Sequence, residues 1–221
     1  FTFLTEEVGL DPQRLFFTCF RGNETLGIPK DTESALLWKA LLAEKGIAAD
    51  IVDFPERDGM QGGKIFYYDE KKNWWSRSGV PSNMPVGEPG GPDTEMFWDF
   101  DPTNKLHLHE HSRWNTEPCH VNCDCGRFME IGNNVFMEYQ KTEAGFTKLT
   151  QKNVDFGGGL ERIQAAALDN PDIFTIDLFS QAREIIKNQS GKTYGENPHD
   201  TYAYRVLLDH IRAAAFLIGD G

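Results

Sequence analysis

The segment NVDFGGGLERI, residues 153–163, combines a carboxylate, three consecutive glycines and a helix-forming stretch that carries an arginine. Glycines let a backbone approach a ligand closely, and the first turn of a helix attracts anions. Asp155 ends a strand-like stretch, and Arg162 falls in the first helical turn, from which a guanidinium can reach a phosphate. The segment therefore fits a site for an anionic nucleotide. Its spacing fits equally well a tight junction between a strand and a helix, with Arg162 paired to a surface carboxylate.

A second cluster of reactive side chains lies in a polar stretch that lacks hydrophobic periodicity. Cys119, Cys123 and Cys125 offer three thiolate ligands, and His120 or His111 is the simplest fourth ligand. Tetrahedral zinc takes four such donors, and a polar insertion has little apolar core to keep it folded. This pattern predicts a structural Zn²⁺ site. The alternative is a set of reduced thiols and surface histidines in an ordinary loop, because the Cys-x-Cys spacing is tighter than the usual two-residue gap.

The composition excludes several classes of protein. The chain has 221 residues, 39% of them hydrophobic, which suffices for a packed core. No run approaches the roughly 18 apolar residues that a membrane span needs. A net charge of −12 means that the surface as a whole repels nucleic-acid phosphates. The first ten residues do not resemble a signal peptide, and three of the four cysteines are clustered. We therefore expect a cytoplasmic protein with reduced cysteines and no membrane partner.

Strands and one helix must position these residues in the first third of the chain. Strand-forming residues predominate at 14–20, 51–54 and 64–68. Apolar residues at helical spacing follow Asp31 and continue up to Gly46, which predicts an amphipathic helix with a polar cap at its start.

The middle of the chain reads as an antiparallel sheet, and its end as helices. Residues 77–93 hold four prolines and four glycines, so we expect a shaped loop there, followed by a core strand over 94–100. Strand signals return at 128–139, with a hairpin turn near Gly145. Helical periodicity then dominates from residue 160 onwards. This order predicts an α+β fold rather than a regularly alternating parallel sheet.

Four long motifs occur in the order typical of one enzyme family. They are GEPGGPDTE (87–95), EIGNNVFMEY (130–139), VDFGGGLERI (154–163) and YRVLLDHIRAAAFLIGDG (204–221). The third resembles the third signature motif of the class II aminoacyl-tRNA synthetases, in the version specific for alanine, and the other three resemble further motifs of that branch. The resemblance implies a mostly antiparallel sheet flanked by helices. It also implies a ligase that condenses alanine with ATP, with Mg²⁺, and transfers the alanyl group to tRNA(Ala).

The resemblance further implies roles for residues of an amino-acid pocket. Asp155 matches the carboxylate that holds the α-ammonium group of alanine, and Asn133 matches a polar partner in that pocket. Trp75 and Val135 correspond to walls around the small side chain, and Gly157 leaves space for the ligand. A fixed anion with close apolar walls is what a small amino acid requires, because it offers one cation and one methyl group.

Two further residues correspond to the nucleotide side of the site. Arg162 matches the catalytic arginine on the ATP phosphates. Glu130 can join the shell of Mg²⁺, which binds few carboxylates together with phosphate oxygens. Two positions depart from the family's pattern, because Gly132 stands where Trp is usual and Phe156 where Thr is usual. We therefore expect the pocket wall and the backbone turn beside it to differ in shape.

We expect two domains. Residues 1–170 correspond to part of a class II catalytic domain, with an insertion at about 101–126, and residues 171–221 to the start of a helical tRNA-recognition region. The upstream N-terminal part of the catalytic domain is then a required partner, and the chain alone is expected to be inactive. The alternative function is a non-catalytic, metal-stabilised binding module that keeps a synthetase-like fold.

Overall fold

Buried aromatic and aliphatic runs form the strands of one sheet in the computed structural model, which describes all 221 residues. The seven strands are β1 (Leu15–Phe20), β2 (Ile51–Val52), β3 (Ile65–Tyr68), β4 (Trp74–Ser76), β5 (Pro89–Asp99), β6 (Phe128–Thr142) and β7 (Gly145–Gly158). The helices are α1 (Thr32–Glu44), α2 (Pro55–Asp58), α3 (Leu160–Ala167), α4 (Ser180–Ser190) and α5 (Pro198–Asp220). Two compact units result, Phe1–Pro171 with the sheet and Asp172–Gly221 with the last two helices.

The sheet is mostly antiparallel, as the sequence predicts. Its order is β2-β3-β1-β5-β6-β7, and β4 pairs with the first half of β5. Only the β1–β3 and β2–β3 pairs are parallel, whereas all pairs that involve β5, β6 or β7 are antiparallel. A tight turn between Thr142 and Gly145 joins β6 to β7, which confirms the predicted hairpin. The α+β prediction is therefore confirmed.

One predicted loop is wrong at its end. The strand β5 begins at Pro89, so that residues 89–93 lie in the sheet rather than in the loop predicted over 77–93. The register of β5 against β6 shifts between Gly90 and Asp93, which marks a bulge. A bulge tolerates proline because it removes the demand for a continuous ladder of N–H donors. Local composition therefore predicted a loop where pairing with β4 and β6 stabilises a strand.

Helix α1 covers one face of the sheet. The Trp38 ring stacks on Phe17 with centroids 4.1 Å apart, and its indole N–H donates to Thr94 Oγ1 at 2.8 Å. Asp31 caps the helix by accepting from the N–H of Ser34. This packing buries Thr94 on the α1 face, so the alternating neighbours Asp93 and Glu95 belong to the opposite face of β5.

The predicted insertion has neither helix nor strand over residues 101–126. Charged groups fasten its two ends, because Arg127 donates two hydrogen bonds to the carboxylate of Asp99, at 3.0 and 2.8 Å. The carboxylate of Asp101 accepts from the N–H groups of Leu106 and Leu108. The insertion also supplies apolar side chains to the sheet, since it contributes to a core cluster. That cluster comprises Phe16, Val52, Phe66, Tyr68, Phe97, Val121 and Phe128, with Met60 and Cys119 packed against it.

The second unit, Asp172–Gly221, has its own polar network. The carboxylate of Asp172 accepts from the hydroxyl of Tyr194 at 2.6 Å and from the guanidinium of Arg205 at 2.8 Å. Asn197 caps helix α5 by accepting from the N–H of Asp200. None of the helices combines the length and hydrophobicity needed to cross a membrane.

The two departures from the family's pattern compensate each other. A β-carbon added to Gly132 would lie 3.0 Å from Cε2 of Phe156 and 2.8 Å from Cε of Met96. The Phe156 ring therefore takes the space above Gly132. Both residues lie on the α1 face, because their sequence neighbours Asn133 and Asp155 alternate to the other face. The expectation that the wall and the turn of the predicted pocket differ in shape stays a prediction.

We predict that Gly132→Trp lowers the free energy of unfolding by about 1–3 kcal/mol, because the indole must displace the Phe156 ring. The double variant Gly132→Trp/Phe156→Thr is expected to recover at least about 0.5 kcal/mol of that loss, as contacting residues couple. Urea denaturation of the wild type, both single variants and the double variant measures this cycle. Strict additivity would show that the two positions do not share one space.

Candidate functional site

Three strands bring the predicted pocket residues into two rows on the face opposite α1, here called the site face. Directly opposed residues of neighbouring strands point to the same side of a sheet. The first row consists of Asp93, Val135 and Asp155, and the second of Glu95, Asn133 and Gly157. The rows place a carboxylate at Asp155 beside a buried valine, and open backbone at Gly157 beside an amide.

A buried hydrogen-bonded cluster underlies these rows. Asp93 is 3% exposed, and its two carboxylate oxygens accept from the amide groups of Asn73 and Asn133, both at 3.1 Å. The Asn73 amide also donates to the hydroxyl of Thr18 at 2.7 Å. That hydroxyl in turn donates to Glu95 Oε2 at 3.0 Å. Four strands or strand ends therefore contribute to one connected polar cluster.

Burial perturbs both carboxyl groups of this cluster. Desolvation raises the pKa of Asp93 to about 6, against the opposing effect of its two amide donors. Desolvation and the negative charge of Asp93 raise the pKa of Glu95 to about 8, with a further contribution from Glu130, whereas the Thr18 hydrogen bond and Lys72 oppose this shift. Perturbed carboxyl groups concentrate at functional sites, because chemistry and ligand charge require them there.

The residues expected around alanine lie as follows. Val135 is buried, and Asp155 is exposed with its carboxylate accepting from the N–H of Phe156. A β-carbon at Gly157 would meet no atom within 4 Å, so open space lies above it. Trp75 lies on β4 opposite Gly91 and is 38% exposed. The structure therefore brings Asn133 and Val135 of β6 next to Gly157 and Asp155 of β7. Trp75 lies on β4, which pairs with β5.

Arg162 and Glu130 form an ion pair where β6 meets α3. Arg162 Nη1 donates to Glu130 Oε2. The arginine folds back over Gly159, where a β-carbon would lie 2.2 Å from Nε. A side chain at residue 159 would have to displace the Arg162 guanidinium, so the third glycine of the run leaves room for Arg162 to fold back. The pair holds one cation and one carboxylate side by side at the end of the site face.

The insertion gathers a second candidate site. The ligand atoms of His109, Cys119, Cys123 and Cys125 all lie within 4.8 Å of one another. The histidine of this group is His109, 3.6 Å from Cys123 Sγ through Nδ1, rather than the expected His120 or His111. His120 is held elsewhere, because its Nδ1 is 2.8 Å from the Tyr68 hydroxyl. Hydrogen bonding with Cys119 lowers the pKa of Cys125, which favours a thiolate there.

The sequence motifs do not reveal the polar cluster beneath the predicted pocket. Asp93 and Glu95 belong to the GEPGGPDTE motif, which by itself assigns neither residue a role. Two acidic residues at alternate positions of a strand-like stretch were the available signal, since both must then face one side of the sheet. Asn73 and Thr18 carried no such signal, because their contacts with Asp93 and Glu95 join residues distant in sequence.

Comparison with known proteins gives the class to which this geometry belongs. The whole chain, residues 1–221, matches the family described as tRNA synthetases class II (A). The chain therefore belongs to the class II aminoacyl-tRNA synthetases.

The chain is similar to alanine–tRNA ligases of several bacteria. The chain is 35% identical over 225 residues to the alanine–tRNA ligase of Treponema denticola, a match that covers 100% of this chain and 31% of that protein. The alanine–tRNA ligase of Borreliella afzelii is 35% identical over 225 residues, with 100% and 32% covered. That of Petrotoga mobilis is 34% identical over 220 residues, with 99% and 21% covered. The chain thus spans about a third of these relatives or less.

The raised pKa of Glu95 predicts a pH-dependent stability. The folded pKa of about 8 exceeds the ordinary value of 4.5, so between these pH values the folded state binds more protons than the unfolded state. The free energy of unfolding must therefore fall as pH rises through this window. Glu95→Gln removes the contribution of Glu95, whereas the raised pKa of Asp93 contributes below about pH 6 in both proteins. We expect its melting temperature to exceed that of the wild type by several degrees at pH 8.5, at about 2–4 °C per kcal/mol, and to match it near pH 5.

Calorimetry of both proteins across pH 5–8.5 tests this expectation. Glu143→Gln, in the exposed β6–β7 turn, serves as the matched control and is expected to show no such crossover. A constant difference between Glu95→Gln and the wild type at all pH values would mean that Glu95 does not titrate in this window.

Proposed function

We propose that this chain forms part of the catalytic region of an alanine–tRNA ligase and contains its amino-acid pocket. The observation that supports this most directly is the pair of cross-strand rows, which place Asp155, Val135, Asn133 and Gly157 together on one sheet face. The family to which the chain belongs and its similarity to alanine–tRNA ligases agree with the proposal.

In the proposed reaction, a carboxylate oxygen of alanine attacks the α-phosphorus of ATP. The bond between that phosphorus and the bridging oxygen breaks, and pyrophosphate leaves with the electron pair. A terminal ribose hydroxyl of tRNA(Ala) then attacks the carbonyl carbon of the alanyl-adenylate, and AMP leaves. No side chain of the enzyme forms a bond to substrate, so the rate depends on positioning and charge stabilisation.

The chain's residues divide this work between the two ends of alanine. Asp155 pairs with the ammonium group, and Val135 and Trp75 limit the space for the methyl group. Gly157 leaves room for the substrate backbone. A site of this kind excludes larger side chains by volume. It excludes ligands without an ammonium group because the carboxylate would then lack its partner.

Arg162 and Glu130 act on the nucleotide in this proposal. Arg162 would contact the ATP phosphates, and Glu130 would help to hold a Mg²⁺ ion. One carboxylate beside a guanidinium fits this role, since Mg²⁺ takes most of its ligands from phosphate oxygens and water. The ion would neutralise charge on the leaving pyrophosphate.

The two units take separate roles in the proposal. Residues 1–170 form the partial catalytic domain, and residues 171–221 begin a tRNA-recognition region. The net charge of −12 makes broad phosphate attraction an unsuitable mode for the second role. Recognition of tRNA(Ala) would then depend on specific contacts, most of them from regions outside this chain.

The recognition role of Asp155 is tested in a chimera of the Treponema denticola alanine–tRNA ligase in which these 221 residues replace the matching third. We predict alanine-dependent exchange of pyrophosphate into ATP. Asp155→Asn should raise the KM for alanine by about 10- to 100-fold, because a charge-assisted contact is worth about 1.5–3 kcal/mol. The KM for ATP should change by less than about twofold if Asp155 contacts only the amino acid.

Thr150→Ala, an exposed change on the same strand, serves as the control and should leave both KM values unchanged. Equal increases for alanine and ATP would remove the assignment of Asp155. A chimera without exchange activity would instead favour the non-catalytic, metal-stabilised module.

We further propose that the insertion binds one structural Zn²⁺ ion through Cys119, Cys123, Cys125 and His109. Three thiolates and one imidazole form the donor set of closed tetrahedral zinc sites, which contribute directly to folding. Such a site suits residues 101–126, which have no regular secondary structure.

Elemental analysis of the chain purified without added metal should find about one zinc per molecule in a four-ligand site. Cys123→Ser and His109→Ala should lose most of it, whereas His120→Ala should retain it, because His120 contacts Tyr68 instead. Retention in His109→Ala with loss in His120→Ala would reverse the choice of histidine. A metal-free wild type with an ordered insertion would reject the site.

A further inference from the structure

Two amide oxygens on the site face are buried without a hydrogen-bond partner, Asn73 Oδ1 and Asn133 Oδ1. Asn73 is completely buried. The nitrogen atoms of the same two amides are both bonded, each to one oxygen of Asp93. An unsatisfied buried acceptor is costly, so its persistence points to a partner that arrives with a ligand.

Asp93 determines which atom of each amide group lacks a hydrogen-bond partner. An ionised carboxylate only accepts hydrogen bonds, so it selects the NH₂ group of each asparagine. The carbonyl oxygen must then occupy the other branch of the amide. Asn133 thereby keeps its carbonyl oxygen as an acceptor for a ligand above β6, while one N–H of its amide is engaged by Asp93.

The charged groups on the strand positions next to Asn133 are carboxylates. Glu95 lies directly opposite Asn133 on β5, and Asp155 lies one row away on β7. Glu130 precedes Asn133 on β6 and is paired with Arg162. The Thr18 hydroxyl has already donated to Glu95. A ligand group seated here meets acceptors and negative charge, which suits a primary ammonium group and repels a carboxylate or a phosphate.

Building on the proposed function, we propose that Asp93 is a positioning residue of the amino-acid pocket. It fixes the Asn133 amide so that its carbonyl oxygen accepts a hydrogen bond from the substrate's ammonium group. Asp155 on β7 then supplies the negative charge that pairs with the ammonium group, and the hydrogen bond to Asn133 on β6 orients that group. Asp93 on β5 does not contact the ammonium group and acts through Asn133.

The probe for this role is alaninamide, which keeps the ammonium and methyl groups of alanine and lacks its carboxylate. Propionate, which lacks the ammonium group, is the matched negative ligand. NMR of the ¹⁵N-labelled 221-residue chain should show the side-chain amide signals of Asn133 shifting with alaninamide and not with propionate. Asp93→Asn should weaken alaninamide binding about tenfold, and Asn133→Ala, a truncation at a half-buried position, should weaken it similarly.

The exchange variant Asp93→Asn/Asn133→Asp separates positioning from mere stability. It rebuilds the hydrogen bond with donor and acceptor reversed and again leaves an oxygen of residue 133 for the ligand. Alaninamide binding should therefore return to within about threefold of the wild type. Asn134→Ala, on the α1 face, should bind as the wild type does.

Unchanged alaninamide binding in both Asp93→Asn and Asn133→Ala would overturn the proposal, and so would the absence of any Asn133 shift in the wild type. Pyrophosphate exchange in the chimera stays a separate readout. Normal alanine activation with no effect of Asp93→Asn on the KM for alanine sinks only the positioning role. Asp93-dependent ammonium binding without alanine activation supports that role and rejects the ligase assignment.

Discussion

The register of β5 against β6 and β7 is the constraint on which the site depends. Side chains alternate between the faces of a strand, so a slip by one residue would exchange the two faces completely. Asp93, Asn133 and Asp155 would then face α1, and Met96, Gly132 and Phe156 would face the ligand. The bulge between Gly90 and Asp93 and, between β6 and β7, the tight turn together with the irregularity between Met137 and Tyr139 determine the register at the site. The bulge lies in a stretch rich in glycine and proline, and the turn closes on Gly145.

The buried carboxylate of Asp93 requires hydrogen-bond donors, and residues next to β4 and on β6 supply them. Amide donors rather than a cation surround the carboxylate, so the cluster keeps its negative character while its hydrogen bonds are made. A lysine or arginine in place of Asn73 would pair with Asp93 and remove the charge that an ammonium ligand needs. The Asn73 contacts also tie the turn before β4 to β1 and β5, which links the strand carrying Trp75 to the rest of the pocket.

Much of the fold could be predicted from the sequence, because its signals are local. The α1 helix, the β6–β7 hairpin and the glycine run before α3 each follow from spacing within a few residues. The parts that could not be predicted depend on tertiary contacts. Residues 89–93 form a strand only because β4 and β6 flank them, and composition alone indicated a loop. His109 joins the three cysteines because the insertion folds back on itself, whereas proximity in sequence favoured His120. Tyr68, about fifty residues earlier, is what holds His120 away from that cluster.

The polarity of the site face also explains how a zwitterion can be held in one direction only. Acceptors and carboxylates cluster around Asn133 and Asp155, and Arg162, near the start of α3, is the cation that pairs with Glu130 at the end of the site face. Under the proposed function, an amino acid bound with its ammonium group at Asn133 points its carboxylate away from Asp93 and Asp155. The reverse orientation would set that carboxylate against these two carboxylates in a partly desolvated site, where like charges repel strongly. Orientation therefore follows from exclusion as much as from attraction.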